Sequence, residues 1–280
     1  MPYEDHPVTI SPRNDSKKVW RYMDLSQLMS LLEKTSLYFT RVDQFEDPFE
    51  GKYPQGNYED RKLLVNKYRE WWESIVEKHD ELDPKDGTIG KVLEALKSGP
   101  LLDEFDSDRM FFLNCWHMND YESAAMWNTY LKSDEGIAIQ SRFGRLKSAL
   151  QNCDYRIHIG KVQYLDYDEE TIPEDNTLRR YLSKRKSFQH ERELRMLCDQ
   201  LPYTGEIEYD EEVQAPARKI DWSEQPEGIY ISVDLDKLIE KIYVAPTSPS
   251  WIAELISEIL ITYDIKCDVE HSNMFDEPSY

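Results

Sequence analysis

Glu191, Glu193 and Arg195 stand two apart, and on an extended strand all three side chains point to one side. Two carboxylates and a guanidinium on one face either look to solvent or line a polar cleft, because a buried charge must be paired. A Glu-x-Glu pair at a strand start is also a pattern that glycosyl transfer can use. One carboxylate orients a ribose hydroxyl and stabilises an oxocarbenium-like transition state, while the other acts on the acceptor. Cys115 and His117 form a second pair on one strand face, the parts of a metal pair or of a nucleophile with its base. No second ligand pair with zinc-like spacing accompanies them, so no metal is expected there. Trp116, Glu122, Ser123, Met126, Trp127 and Tyr130 surround that pair in sequence, and their aromatics either line a pocket or fill the core. Asp43, Glu46, Asp47 and Glu50 precede Gly51. Such a loop could hold a hard cation or set one carboxylate over a substrate, but it lacks the spacing of a calcium loop. The simpler reading is a turn in which Asp47 precedes Pro48 and Gly51 supplies an unusual dihedral. A basic run, Arg179, Arg180, Lys184, Arg185 and Lys186, extends to Arg192 and Arg195. It is either a phosphate contact or a solvated helix face.

These groups need elements to hold them. Val19–Tyr22 reads as a first strand. Asp24 then caps a helix with Gln27 as its capping-box partner and Leu25, Leu28, Met29 and Leu32 as its apolar stripe. Leu37–Thr40 is a second strand, leading into the carboxylate turn. Leu64, Tyr68, Trp71, Trp72 and Ile75 recur at helical spacing, as do Ile89, Val92, Leu93 and Leu96 beyond Pro84. That region predicts a helical insertion at about 56–104. Arg109–Met118 holds a strand, and Asn119 with Glu122 predicts a capped helix containing Met126, Trp127 and Tyr130. Gly136–Gln140 is a compact buried strand, followed by a short helix near Phe143–Leu150 and a strand near Ile157–Tyr164. Thr177–Phe188 reads as a basic helix, and Leu194–Cys198 as a strand. Residues 201–227 read as a long surface loop or loose hairpin. Strand Ile229–Val233, a helix from Leu235 and strand Ile242–Val244 come next, then a helix from Pro249 with Ser248 as cap and strand Ile265–Val269. Short strands between helices of unequal length predict an α+β fold with a mixed or antiparallel sheet. One domain is expected over 18–270, with a flexible arm at 1–17 and an acidic tail at 271–280.

Bulk properties bound the function classes. The 280 residues are 40% hydrophobic and 32% charged, enough for a core and against global disorder. A formal charge of −21 repels nucleic acid and anionic membrane at long range without excluding a local basic groove. Cys115, Cys153, Cys198 and Cys267 are scattered, so free thiols in a reducing compartment are expected. No basic-then-apolar stretch opens the chain and no apolar run approaches ~20 residues, so a cytoplasmic location without a membrane partner is expected. Dinucleotide, phosphate-loop, zincin and hydrolase-elbow signatures are absent.

The order of these blocks carries a resemblance. Leu37-Tyr38-Phe39-Thr40 with Phe45-Glu46-Asp47-Pro48-Phe49-Glu50-Gly51 comes first. Cys115-Trp116-His117 with Glu122, Ser123, Met126, Trp127, Tyr130 and Gly136 follows, then Lys186, Phe188, Glu191, Glu193 and Arg195. From about Trp20 to Val244 this resembles a widespread prokaryotic family known only as a domain of unknown function, number 2971 in that series. It departs at Glu46, where the family more usually has Asn, and the resemblance implies no established activity. A looser likeness is to ADP-ribosyltransferases, which implies NAD as cofactor. In that likeness Arg21 takes the NAD phosphate or ribose, Tyr22 or Tyr38 stacks on nicotinamide, and Glu193 or Glu191 is the catalytic carboxylate. Trp116, His117, Trp127 and Arg195 would complete the cofactor site. Such an enzyme could serve in phage defence or as a toxin-like effector, with a small molecule, nucleic acid or protein as acceptor. The rival readings are a non-catalytic ligand- or protein-binding sensor and a metal-dependent nucleic-acid processing enzyme.

Overall fold

A computed structural model describes Tyr3 and residues 6–76, 107–130, 135–201, 203–210 and 215–277. Asp24 closes β1 (Lys18–Asp24) and opens α1 (Leu25–Lys34). Its carboxylate accepts from the Gln27 amide at 2.8 Å while Gln27 Oε1 accepts from the Asp24 amide at 3.2 Å, the expected capping box. Leu28, Leu31 and Leu32 bury the stripe of α1, and Thr35 ends it in the left-handed region at φ 47°. β2 (Ser36–Arg41) follows. α2 (Gln55–Val76) is the described part of the insertion, anchored where Asn57 exchanges hydrogen bonds with the Ile172 backbone at 2.7 and 2.9 Å. Leu64 and Trp71 on it are exposed, and the second expected helical stretch, with Ile89 to Leu96, lies outside the described residues.

β3 (Phe111–Met118), α3 (Ala124–Tyr130), β4 (Gly136–Arg142) and α4 (Phe143–Ala149) form the middle of the chain. β5 (His158–Lys161), β6 (Gln163–Leu165), α5 (Leu178–Tyr181), β7 (Ser183–Arg185) and β8 (Glu193–Asp199) come next. β9 (Tyr203–Asp210) and β10 (Ala215–Ile220) pair as a separate hairpin, the loose-hairpin alternative for that region. β11 (Gly228–Ser232), α6 (Leu235–Leu238), β12 (Lys241–Val244), α7 (Ser250–Thr262) and β13 (Asp268–His271) finish the described chain. The fold is α+β. A nine-stranded sheet runs β11-β2-β3-β1-β4-β12-β13, with β8 paired to β3 and β5 beyond it, and only its β12–β13 pairing is parallel.

Strand alternation sorts the sheet into two faces. Val19 and Met23 of β1, Phe112 and Trp116 of β3, and Leu194, Met196 and Cys198 of β8 join α1, α4 and α7 in the main core. Trp20 and Tyr22, Leu113 and Cys115, and Glu193 and Arg195 fall on the opposite face, under α3, α5 and the turn that ends at Gly51. β3 serves three strands. Its residues Phe111–His117 pair with β8, while its other edge is divided between β2 at Leu113 and Phe112 and β1 at Met118 and His117. β1 and β2 therefore diverge, leaving the edge of Asn114, Cys115 and Trp116 without a strand partner on that side. Those freed backbone groups need other partners. Arg21 supplies one, its Nη1 donating to the Cys115 carbonyl at 2.8 Å, and the Asn114 Nδ2 bridges the gap to the Tyr38 carbonyl at 2.8 Å.

Several local expectations need correction. The helix expected from Asn119 begins at Ala124, because Trp20 Nε1 holds the Asn119 carbonyl at 2.9 Å and Glu122 receives Trp127 Nε1 at 3.0 Å. The basic helix expected over Thr177–Phe188 is one short turn, Leu178–Tyr181, because Ser183–Arg185 is drawn off to pair in parallel with β6. Lys186–Glu191 then forms a 3-10 turn, and Arg192 in the left-handed region at φ 43° turns the chain into β8. Glu191 thus precedes the strand instead of lying on it. Pro249 occupies the cap of α7, with Ser250 its first helical residue. Residues 6–17 are docked, not loose: the Lys161 amide binds the Ile10 carbonyl, and Phe143 and Gly144 bind those of Lys17 and Asp15 at 2.9–3.0 Å.

Candidate functional site

The split between β1 and β2 opens into a cavity of about 150 Å³. β1 contributes Arg21 and Tyr22, β3 contributes Asn114, Cys115 and His117, α3 contributes Met126 and Tyr130, and the turn into β8 contributes Glu191 and Glu193. A second cavity of about 250 Å³ continues past Arg21, Gln27 and Thr40 towards Tyr38 and Tyr230. Arg21 stands between the two.

Beneath the first cavity lies a charge network. Arg195 is fully buried opposite Cys115 in the β3–β8 ladder. Its guanidinium forks onto Glu50 at 2.5 and 3.0 Å, donates to the Tyr181 carbonyl at 2.7 Å, and reaches Glu193 Oε2 through Nε at 2.6 Å. Lys184 bridges the other side, donating to Glu193 Oε1 at 2.7 Å and to Glu191 Oε2 at 2.5 Å. The Glu193 amide donates to Tyr164 Oη at 2.8 Å, which fixes the strand start. Three carboxyls thus face two cations, Arg195 and Lys184. With Glu191 protonated the network is neutral, and with Glu191 ionised it carries one net negative charge.

That imbalance separates the two glutamates. Burial pushes both carboxyls up, but Arg195 and Lys184 outweigh it at Glu193, which stays ionised well below the usual carboxylate range. Glu191 is pushed up to about 7, first by burial and then by its hydrogen bond to the ionised Glu193, against the pull of Lys184. A carboxyl that titrates near neutrality beside a cavity is equipped for general acid–base work. Burial, with Glu193 and Glu50 nearby, raises the Cys115 thiol instead, which favours its neutral form.

Across the cavity Arg21 donates to the Cys115 carbonyl, and no carboxylate among the described residues forms an ion pair with it. Burial lowers its pKa, opposed by the nearby Cys115 and Tyr130. His117 is 3% exposed, with Nδ1 2.5 Å from the Glu191 carbonyl and no partner for Nε2 among the described residues. Burial lowers its pKa, so the neutral ring donates through Nδ1 and leaves Nε2 as an unsatisfied acceptor. Tyr22 and Tyr130 rings are stacked, 6.4 Å between centroids. Burial near Cys115 and Glu193 pushes the Tyr130 phenol up to about 12.

The sequence-predicted residues divide accordingly. Arg21, Tyr22, His117, Glu191 and Glu193 surround one cavity. Tyr38 lies in the adjoining one, tilted against Tyr230 at 5.0 Å. Arg195 is enclosed by Glu50 and Glu193 and cannot reach a cofactor. Trp127 is buried behind Tyr22, edge to face at 4.9 Å, and Trp116 turns to the core with Nε1 on Asn114. Both were expected at the cofactor; Trp116 also borders the first cavity, whereas Trp127 packs behind its wall. Glu193 has each oxygen engaged, Oε1 by Lys184 and Oε2 by Arg195, so Glu191 is the less fully paired of the two carboxyls. The expected carboxylate loop does not gather around an ion: Asp43 pairs with Arg41, Asp47 with Arg185, and Glu50 with Arg195. Sequence reasoning missed Glu50, Lys184 and Tyr130 as site residues, although Glu50 and Lys184 lie in the acidic turn and the basic run. No family model, curated protein or solved structure matches this chain.

Proposed function

We propose that the split-sheet cavity is a glycosyl-transfer site that takes NAD, in the manner of an ADP-ribosyltransferase. The observation that carries this reading is the joint lining of one aromatic cavity by Arg21, a guanidinium without a carboxylate partner among the described residues, and the Glu191–Glu193 pair. The guanidinium suits the diphosphate at the junction of the two cavities. The Tyr22 and Tyr130 rings suit a flat heterocycle, and His117 Nε2 can accept from an amide or hydroxyl. Glu191, near neutral pH in its titration, is the group for proton exchange with the acceptor, and Glu193 supplies fixed negative charge to an oxocarbenium-like centre. The resemblance to the prokaryotic family of unknown function is part of the same proposal, since its three blocks meet here in Glu50, Cys115, His117, Glu191, Glu193 and Arg195.

A second reading, a non-catalytic sensor, is favoured by one observation: Glu193 is wholly engaged inside the protein. Incubation with NAD⁺ separates the two. Nicotinamide release by the wild type that is lost in Glu191→Gln, with NAD⁺ binding retained, supports transfer. Saturable binding of NAD⁺ without release, over a panel of peptide and nucleotide acceptors, supports the sensor. With the cationic cavity bordered by Arg13 and Lys161 disabled by Arg13→Glu/Lys161→Glu, NAD⁺ binding unchanged by Arg21→Ala refutes both uses of the split-sheet cavity.

A further inference from the structure

The segment from Gln189 to Glu193 has a second side. Where Glu191 and Glu193 face the split-sheet cavity, Gln189 and Arg192 face another, an open depression of about 550 Å³ bordered on one side by the docked N-terminal residues. Four cations, Arg13, Lys17, Lys161 and Arg192, border it, and no acidic residue among the described residues does. In a chain of formal charge −21 that local excess is a built feature of the surface. Lys17 has a partner in Asp120 at 2.8 Å, and Arg192 Nη1 rests on Asn119 Oδ1 at 3.3 Å. Arg13 and Lys161 have no carboxylate partner among the described residues.

The floor is different in kind. Met118, Val162 and the ring of Tyr164 provide apolar surface, and Tyr164 is held in place because its hydroxyl accepts the Glu193 amide at 2.8 Å. A fixed aromatic floor rimmed by cations matches a ligand with a flat ring and a phosphate tail. The volume falls within the roughly 300–1,000 Å³ of small-molecule pockets. We propose that this cavity binds a nucleoside phosphate, its base over Tyr164, Val162 and Met118 and its phosphates among Arg13, Lys161 and Arg192. The proposal does not depend on the transfer reading, because it shares no side chain with the split-sheet cavity.

Calorimetric titration of the full chain with ADP and with inorganic pyrophosphate tests it, using wild type, Arg13→Glu/Lys161→Glu and Arg21→Ala. The expected result is saturable ADP binding that weakens at least about tenfold in the double charge reversal, persists in Arg21→Ala, and exceeds pyrophosphate binding. Unchanged circular dichroism of the double variant establishes that folding is intact. If the double variant is misfolded, Tyr164→Ala gives the second reading of the same site, with a comparable loss expected. Absence of saturable binding, retention of full affinity in the well-folded double variant, or pyrophosphate binding as tightly as ADP each overturns the proposal. Loss in Arg21→Ala alone assigns the nucleotide to the split-sheet cavity and overturns it equally.

Discussion

Glu191 and Glu193 are the same residue type two positions apart, yet the tertiary environment sets them on opposite sides of the ordinary carboxylate range. The deciding difference is partner count. Glu193 holds both Arg195 and Lys184, whereas Glu191 holds Lys184 and competes with Glu193 for charge. Stability follows with opposite signs. Glu193, depressed, contributes stability above the ordinary glutamate range that is lost as pH falls. Glu191, raised to about 7, contributes stability at acid pH that is lost as pH rises through about 7. The melting temperature of the wild type should therefore decline through that window, and Glu191→Gln should flatten the decline. A variant with an unchanged slope would show that Glu191 does not titrate there. On the transfer reading, the same ionisation should appear in the pH profile of nicotinamide release. Glu191→Gln should reduce that rate by about 10²–10⁴.

At the scale of elements, β8, the turn after β2 and β7 are joined by buried ion pairs. Arg195 on β8, Glu50 in the turn and Lys184 on β7 form one buried network around Glu193. Removing one partner leaves the others desolvated and unpaired, which costs more than the network's net worth. Arg195→Met should lower unfolding free energy by about 3–5 kcal/mol in urea titration. Adding Glu50→Gln to it should recover part of the loss, since that removes an orphaned charge. A double variant as unstable as the sum of the two singles would contradict this coupling. The same turn depends on Gly51 at φ 69°, where an added Cβ would lie 2.8 Å from Tyr181 Cε1. Gly51→Ala should therefore destabilise by more than the ~1 kcal/mol of a dihedral penalty alone, measured the same way.

Over the whole molecule, self-repulsion from a formal charge of −21 opposes the attraction of scattered surface ion pairs. Exposed pairs such as Lys17–Asp120 contribute about 0–1 kcal/mol each, and salt screens both effects. The repulsion sums over the whole surface, so it wins. The melting temperature should rise as ionic strength increases from low salt to about 0.15 M, where the Debye length is about 8 Å. A fall over that range would mean that surface pairs dominate. None of the described helices is long and apolar enough to cross a membrane.

Local pattern was readable wherever local physics decided. The Asp24–Gln27 capping box, the β1, β2, β3 and β4 strands and the left-handed Gly51 follow from side-chain chemistry within a few residues, and all are present. The α+β class follows from the uneven mixture of those elements. Failures came where a distant partner outbid local propensity. Residues 183–185 look helical alone but pair with β6, and Asn119 looks like a cap but its carbonyl is taken by Trp20. The site shows the same division. Strand alternation by itself puts Cys115 with His117, and Glu193 with Arg195, on shared faces. That β3 would serve β1 and β2 at once, opening the sheet beside Arg21, depends on pairings over more than 70 residues of chain, as in Asn114 with Tyr38. Residue types determined which groups could carry charge and protons. Only the tertiary structure decided which charges neutralise one another, leaving Arg21 and Glu191 at the cavity, because desolvation and pairing are properties of the folded environment and not of the residue.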